Sequence, residues 1–456
     1  MRVHEVAEVE AGFLETEARS EPPAGQSGWK RTAEAGMECS GHMGVRVEEP
    51  REAGHTYKRV SGGRLKSVEL FTGAGGLALG IEKAGFRHHT VVERDKDCCQ
   101  TIRENQRNGY PLLEGWRLYP GDVRKFDYSQ IKGEVDLLAG GPPCQPFSIG
   151  GKHKGRLDKR DMFPQMARAV RELKPRAFMV ENVRGLLRES FAKYFEYVTL
   201  QLKYPEFVSK PDEAWTDHLS RLERHETKGH DRGLHYNLVF RPLNAANYGV
   251  PQKRARVIIV GFRADLDVEW SFPDATHSLD ALLVDQWVTG DYWERHNVAK
   301  KNRPATPPHL KTRIERLKSE SPLSLFDPQK PWRTVRDALE GVPDPESGDC
   351  AGWHNHEHNP GARSYVGHTG SPLDEPAKTL KAGDHGVPGG ENTLLKPDGS
   401  LRYFTVRESA RLQTFPDDFI LHGAWTEAMR QLGNAVPVVL AETVANGIRQ
   451  RLSAMR

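Results

Sequence analysis

Cys144 lies in the run VDLLAGGPPCQPFS, with Pro142 and Pro143 before it and Pro146 after it. Prolines fix φ and stiffen a loop, and a thiol held in a stiff loop at the end of an apolar run is placed for reaction more than for packing. As a thiolate it is a competent nucleophile toward an electron-poor carbon. Two other stretches carry groups that such chemistry needs. RAFMVENV ends in Glu181-Asn182-Val183, which supplies an acid, and YGVPQKRARVIIVG presents Gln252, Arg254 and Arg256. The two arginines are expected on one face of a strand, converging with Glu181 on the cysteine's edge of a sheet.

A second constellation suits a ligand. In FTGAGGL, Gly73, Gly75 and Gly76 let the backbone turn tightly behind the bulky Phe71. The spacing is G-x-G-G and not the G-x-G-x-x-G of a pyrophosphate site, so a nucleoside without pyrophosphate is the better fit. Glu93, in VVERD and twenty residues beyond Gly73, is placed to accept from ribose hydroxyls. Asp122, in PGDVRKF, is placed to accept from an adenine amino group.

These residues need elements to position them. The short apolar runs SVELF, HHTVVE, VDLLAG, AFMVEN, YNLVFRPL and ARVIIVGF read as buried strands. Between them, GLALGIEKAG and DMFPQMARAVRELKP carry apolar residues at helical spacing. Strand and helix in alternation predict an α/β fold with a doubly wound sheet, whose ligands bind at the carboxyl ends of the strands. Residues 1–62 are predicted to be a disordered extension, 63–262 the main domain, 263–401 a second, smaller domain, and 402–456 a return to the first. In that last part GNAVPVVLAETVANGIRQRL is predicted to form an amphipathic helix beginning after the glycine and packing on the sheet. Leu200 to Leu234 reads as an insertion between two strands.

Composition narrows the partners. With 456 residues, 37% hydrophobic and 28% charged, the chain can bury a sizeable core, and it has no apolar run of the roughly 20 residues that span a bilayer. MRVHEVAEVEAGF lacks the regions of a signal peptide, so a cytoplasmic location is expected. Five scattered cysteines without a C-x-x-C pair argue against disulfides and structural zinc. Cys98 and Cys99 are expected to begin a helix with no chemical role. His354, His356 and His358 alternate, which is poor zinc spacing, and no metal is expected. The net charge of +3 hides an asymmetry: residues 1–62 hold eight Lys/Arg against eleven Asp/Glu, leaving +6 for the remainder. Arg295 to Lys318 holds eight basic residues against one acid, which suits a nucleic-acid backbone.

The chain resembles the DNA cytosine-5 methyltransferases of the prokaryotic modification type from Val68 to its end. The likeness rests on ELFTGAGGLALG, VVERD, GDV, GGPPCQPFS, ENVRGLL, YGVPQKRAR, RESARLQTFPDDF and QLGNAVPV, in that order. It implies a methyltransferase sheet dependent on S-adenosylmethionine, a target-recognition domain over 263–401, and transfer of a methyl group to carbon 5 of cytosine in duplex DNA. Phe71, Gly73, Gly75, Gly76, Glu93, Asp122, Pro143 and Asn434 would then hold S-adenosylmethionine, with Asn434 closing the site from the last helix. Cys144 would attack the base, Glu181 would hydrogen-bond its N3, Arg256 would orient it, and Arg254 would support the catalytic loop or a phosphate. Gln145, Ser148, Gln252, Thr379 and Leu380 would face the DNA. GGKHKGRLDKRDMF, with Gly150, Gly151 and Gly155, resembles the loop that closes over a flipped base. An RNA branch of similar fold carries a Cys-Phe-Thr signature that is absent from this recognition region. A catalytically silent relative would require a broken nucleophile loop or cofactor turn, and both are intact. The resemblance further implies a monomer acting at the nucleoid, paired functionally with a restriction endonuclease.

Overall fold

The structure is a computed structural model that describes residues 65–143, 161–229, 233–319, 329–364, 369–383 and 391–455. The 1–62 extension therefore lies outside the described residues, as do Cys144, Gln145, Ser148 and the three glycines of the loop that follows them. In chain order the elements are β1 (Leu65–Leu70), α1 (Gly76–Lys83), β2 (Phe86–Glu93), α2 (Lys96–Arg107), β3 (Arg117–Pro120), β4 (Leu137–Gly140) and α3 (Phe163–Leu173). There follow β5 (Ala177–Val183), α4 (Ala192–Lys203), α5 (Trp215–Lys228), β6 (Tyr236–Asn244) and β7 (Ala255–Arg263). Each of the six apolar runs forms a strand. The seventh strand, RLYP, is short and mostly solvent-facing, so it leaves no apolar signal.

The sheet has the order β3-β2-β1-β4-β5-β7-β6. β1 pairs in parallel with β2 and β4, β3 with β2, and β5 with β4, while β7 runs antiparallel to both β5 and β6. Chain order reverses between β1 and β4, which opens a crevice beyond their carboxyl ends, where open α/β sheets bind ligands. Alternate residues along each central strand bury on opposite faces. Leu138, Phe178, Val180, Val257 and Ile259 pack with α3 and α4, and Leu137, Ala139, Met179, Ile258 and Val260 pack on the other face. Apolar cover on both sides explains why these strands read as continuous runs and not as alternating ones.

After β7 come β8 (His277–Ser278), α6 (Leu279–Val284), α7 (Asp291–Arg295), α8 (Lys311–Ser319), β9 (Lys330–Pro331), α9 (Val335–Leu339), β10 (Ser371–Pro372), β11 (Thr393–Leu395) and β12 (Leu401–Tyr403). Two small apolar clusters serve this stretch, one around Leu282, Tyr292 and Trp293 and one around Leu283, Ile314 and Leu317. Arg64–Arg456 nevertheless forms one compact unit, and β12 pairs with β11 across position 401. Among the described residues no helix is long and apolar enough to cross a membrane.

The chain closes with α10 (Val406–Leu412), α11 (Trp425–Asn434) and α12 (Val438–Ser453). The final helix thus starts after Pro437 and not after Gly433, because Ala435 leaves the helix in extended backbone and proline suits a helix start. α12 lies on the sheet face that also carries α1. A Cβ at Gly80 would stand 2.5 Å from the Cβ of Ala441 and from the carbonyl of Val438, so only glycine admits this approach.

Candidate active site

The turn after β1 forms one wall of the crevice. Phe71 adopts φ 59°, a left-handed conformation that costs a side-chain-bearing residue about 1–2 kcal/mol. Gly73 and Gly75 continue with φ 57° and 95°, and Gly75 caps α1. A Cβ built on Gly73 would meet nothing within 4 Å, so the space above it is open to a ligand. Gly76 serves packing instead. Its Cβ would lie 2.3 Å from the carbonyl of Val436, so it admits the chain between α11 and α12 and does not face the crevice.

Glu93, at the end of β2, closes the turn by accepting from the amide of Gly73 at 2.7 Å. Its other oxygen accepts from the amides of Arg94 and Asp95, both at 2.7 Å. A carboxylate offers about four acceptor positions, so one remains for a hydroxyl group. Asp122 caps the short turn after β3 and pairs with the Arg124 guanidinium, which lowers its carboxyl to about 2. Pro143 and Asn434 are exposed, and Asn434 is the last residue of α11, one helix earlier than expected. An open glycine turn, an acceptor and an exposed amide together fit a nucleoside cofactor.

The other wall begins at β4, whose end leads through Gly141 and Pro142 toward Cys144. Glu181 stands near the end of β5, 7% exposed, and Arg256 stands at the start of β7. Strand register sets Val183 opposite Arg256, and Arg256 Nε meets Glu181 Oε1 at 2.8 Å. Burial raises the Glu181 carboxyl above its ordinary range, while Arg256 and Arg254 pull it back. The outcome is a buried acid that can hold a proton at its second oxygen. That oxygen, Oε2, would lie 3.1 Å from a Cβ at Gly141, so the absence of a side chain there brings the loop against the acid.

Asn182 is a contributor that sequence reasoning missed. Its side-chain amide donates to the Pro142 carbonyl at 3.0 Å, and its oxygen accepts from the amide of Val183. At the far end of the undescribed loop, Asp161 accepts from the Tyr194 hydroxyl at 2.6 Å and from the amide of Phe163. Both ends of the segment that carries Cys144 are thereby tied to the α/β body. The pairing of Glu181 and Asn182 in ENV was the available signal.

Of the residues expected to face the DNA or to support the catalytic loop, Arg254, Gln252 and Leu380 are buried. Arg254 precedes β7, so it does not share a strand face with Arg256, and it is fully buried. Its guanidinium donates to the carbonyls of Leu380 (3.1 Å), Gly433 (2.7 Å) and Ala435 (2.8 Å). Gln252, also fully buried, accepts from the amide of Leu380 at 3.1 Å and donates to the carbonyl of Leu412. Leu380 is enclosed in the core, and the Thr379 hydroxyl donates to the carbonyl of Lys253 at 2.6 Å. Neither a phosphate nor a base edge reaches Arg254, Gln252 or Leu380 in this arrangement, because their polar groups hold backbone together. The set is a clasp joining residues 379–380 and 433–435 to the approach of β7. His356 is likewise structural, bonded in the core to the Thr405 hydroxyl and the Pro343 carbonyl.

The sheet, with an open glycine turn and a buried acid–guanidinium pair on the two walls of its switch point, places the chain in the doubly wound α/β class that binds ligands at the carboxyl ends of its strands. The model of the family described as C-5 cytosine-specific DNA methylase matches residues 65–209 and 230–450, and the chain belongs to that family. The whole of α5 falls in the gap between the two matched stretches, which marks it as an addition to the shared fold. Among relatives, Type II methyltransferase M.PspPI of Psychrobacter sp. (strain TA137) is 31% identical over 85% of this chain and 79% of its own length. Type II methyltransferase M.Eco47II of Escherichia coli is 31% identical over 86% of this chain and 80% of its own. The structure of S. pombe Dnmt2 methyltransferase shares the fold, with a TM-score of 0.50 at 17% identity over 86% of this chain and 100% of that one. Family and fold together imply S-adenosylmethionine as the methyl donor.

Proposed function

We propose that the chain methylates carbon 5 of a flipped-out cytosine within a specific duplex sequence, through a covalent Cys144 adduct at carbon 6, as the modification enzyme of a restriction-modification system. The observation that carries this reading is the buried Glu181, paired with Arg256 and set against the loop that leads to Cys144. The names of the Type II relatives support the restriction-modification part.

Carbon 5 of cytosine is too weak a nucleophile to take a methyl group unaided. The Cys144 thiolate adds to carbon 6, and the electron pair displaced from the 5,6 double bond builds toward N3. Glu181, its carboxyl raised by burial, shares a proton with N3, and the Arg256 guanidinium stabilises the charge at the neighbouring carbonyl. S-adenosylmethionine, when bound, would supply an electrophilic methyl group to which carbon 5 bonds, its sulfonium becoming a neutral thioether. A base then removes the carbon 5 proton, the carbon–sulfur bond breaks to restore the thiolate, and N3 returns its proton to Glu181. The cytosine must leave the stack to reach these groups. On the cofactor side, Phe71, Gly73 and Gly75 shape the turn, Glu93 accepts from the ribose, and Asp122, Pro143 and Asn434 complete the pocket. Thr379 belongs to a recognition segment, 263–401, fixed by the clasp, whose basic stretch meets phosphates.

Transfer of labelled methyl groups to duplex DNA and to tRNA tests the substrate. Labelling of duplex DNA at cytosine is expected, and labelling of tRNA alone would move the chain to the RNA branch.

A further inference from the structure

Beneath the 71–76 turn lie four enclosed side chains that the chemistry above does not use: Glu69, Glu82, His88 and Trp116. His88 Nε2 stands 3.3 Å from a Glu69 oxygen, and its Nδ1 stands 3.5 Å from Glu82 Oε1. The same Glu82 oxygen accepts from the His88 amide at 2.7 Å and from the Trp116 indole N–H at 2.8 Å. The rings of His88 and Trp116 are 5.0 Å apart.

A buried ionic cluster is rarely the most stable filling for such a space, since apolar side chains do as well without desolvating charges. Apart from the Glu181–Arg256 and Asp136–Arg176 ion pairs, the faces of the sheet are covered mainly in that apolar way. The position of the cluster supplies the reason for it. Glu69 is the last residue but one of β1, two before the strained Phe71. Glu82 belongs to α1, the helix that starts where the turn ends. The Trp116 ring lies 3.9 Å from where a Cβ of Gly75 would be. His88 touches all three of these partners.

We propose that His88, bridging Glu69 and Glu82 and backed by Trp116, is a positioning residue that holds the 71–76 turn in its S-adenosylmethionine-binding shape. The inference rests on the cofactor reading given above. Burial alone would strip the imidazole of its proton, but the Glu69 and Glu82 carboxylates outweigh it and raise His88 to about 9. Glu69, raised by burial, also feels Glu93 on its far side. Near neutral pH the bridge is therefore an imidazolium. It loses its proton, and the turn its support, as pH climbs through about 9.

Calorimetric titration of the full chain with S-adenosylmethionine, comparing wild type with His88→Gln, tests this. At pH 7 the variant is expected to bind roughly tenfold more weakly, the equivalent of about 1.4 kcal/mol, with affinity for DNA and turnover at saturating cofactor unchanged. The difference between the two proteins should close above pH 9, where wild type has lost its imidazolium too; comparing the pair cancels titration of the ligand itself. A folded variant that binds like wild type, or a deficit independent of pH, would overturn the proposal. If His88→Gln does not fold, Trp116→Phe decides: it keeps a ring on Gly75 but removes the N–H from Glu82. It should weaken cofactor binding by roughly tenfold, the lower end for one hydrogen bond to a charged group, and unchanged affinity would overturn the proposal. Wild type failing to bind S-adenosylmethionine would instead sink the cofactor reading, and this inference with it.

Discussion

The approach to β7 and the start of β7 lie side by side and do opposite work. Arg256 keeps its guanidinium beside Glu181, at the end of the sheet where the nucleophile loop begins. Arg254, two residues earlier, spends its guanidinium on three backbone carbonyls drawn from two distant parts of the chain. One arginine meets a buried acid, and the other joins residues 380 and 433–435 to the approach of β7. Residue type and spacing do not separate a reacting group from a clasp. What separates them is which backbone comes to meet the side chain.

The strongest way to break that comparison is Glu181→Gln. It should lower methyl transfer about a thousandfold, the range expected for losing a positioned acid, while the urea midpoint stays close to wild type. A large loss of stability instead would make Glu181 a structural group like Arg254. Arg254→Met addresses the other side. Three carbonyls and a packed cavity lose their cation, so equilibrium unfolding should show a loss of about 3–5 kcal/mol. Wild-type stability with reduced turnover would place Arg254 among the reacting groups after all.

Gly433→Ala probes the clasp from its far end. The new Cβ would stand 2.2 Å from the Ala382 amide nitrogen, so the backbone must shift at a cost of about 1–3 kcal/mol. Steady-state kinetics should show a higher KM for DNA. Arg256→Met should give the smallest change in stability, and one that depends on pH. Without Arg256 to oppose burial, the Glu181 carboxyl climbs further above its ordinary range. A raised carboxyl costs nothing while it is protonated in folded and unfolded chains alike. The variant should thus match wild type at acid pH and fall behind as pH rises from the ordinary carboxylate range through the raised value. A deficit constant across that window would mean that Glu181 does not feel Arg256.

Much of the α/β body was legible because its strands are buried on both faces and so appear as unbroken apolar runs, from SVELF to ARVIIVGF. β3 was not, since four partly exposed residues carry no such pattern. The motifs pointed to Glu181 and Arg256 because these side chains lie at strand ends, where register alone fixes their direction. They misplaced Gln252, Arg254 and Leu380, whose surroundings come from chain more than a hundred residues away. His88 was invisible for a similar reason: nothing in HHTVVE says that two glutamates and a tryptophan will enclose it.

The central claim is that Cys144 forms the covalent bond to cytosine, and duplex DNA carrying 5-fluorocytosine tests it most directly. With fluorine in place of the proton that must leave, the adduct cannot resolve, and S-adenosylmethionine with wild-type protein should give a denaturation-resistant complex. Cys144→Ser should bind the same DNA and cofactor and give none. A complex formed equally by the serine variant, or no complex from a wild type that still methylates ordinary cytosine, would contradict the account.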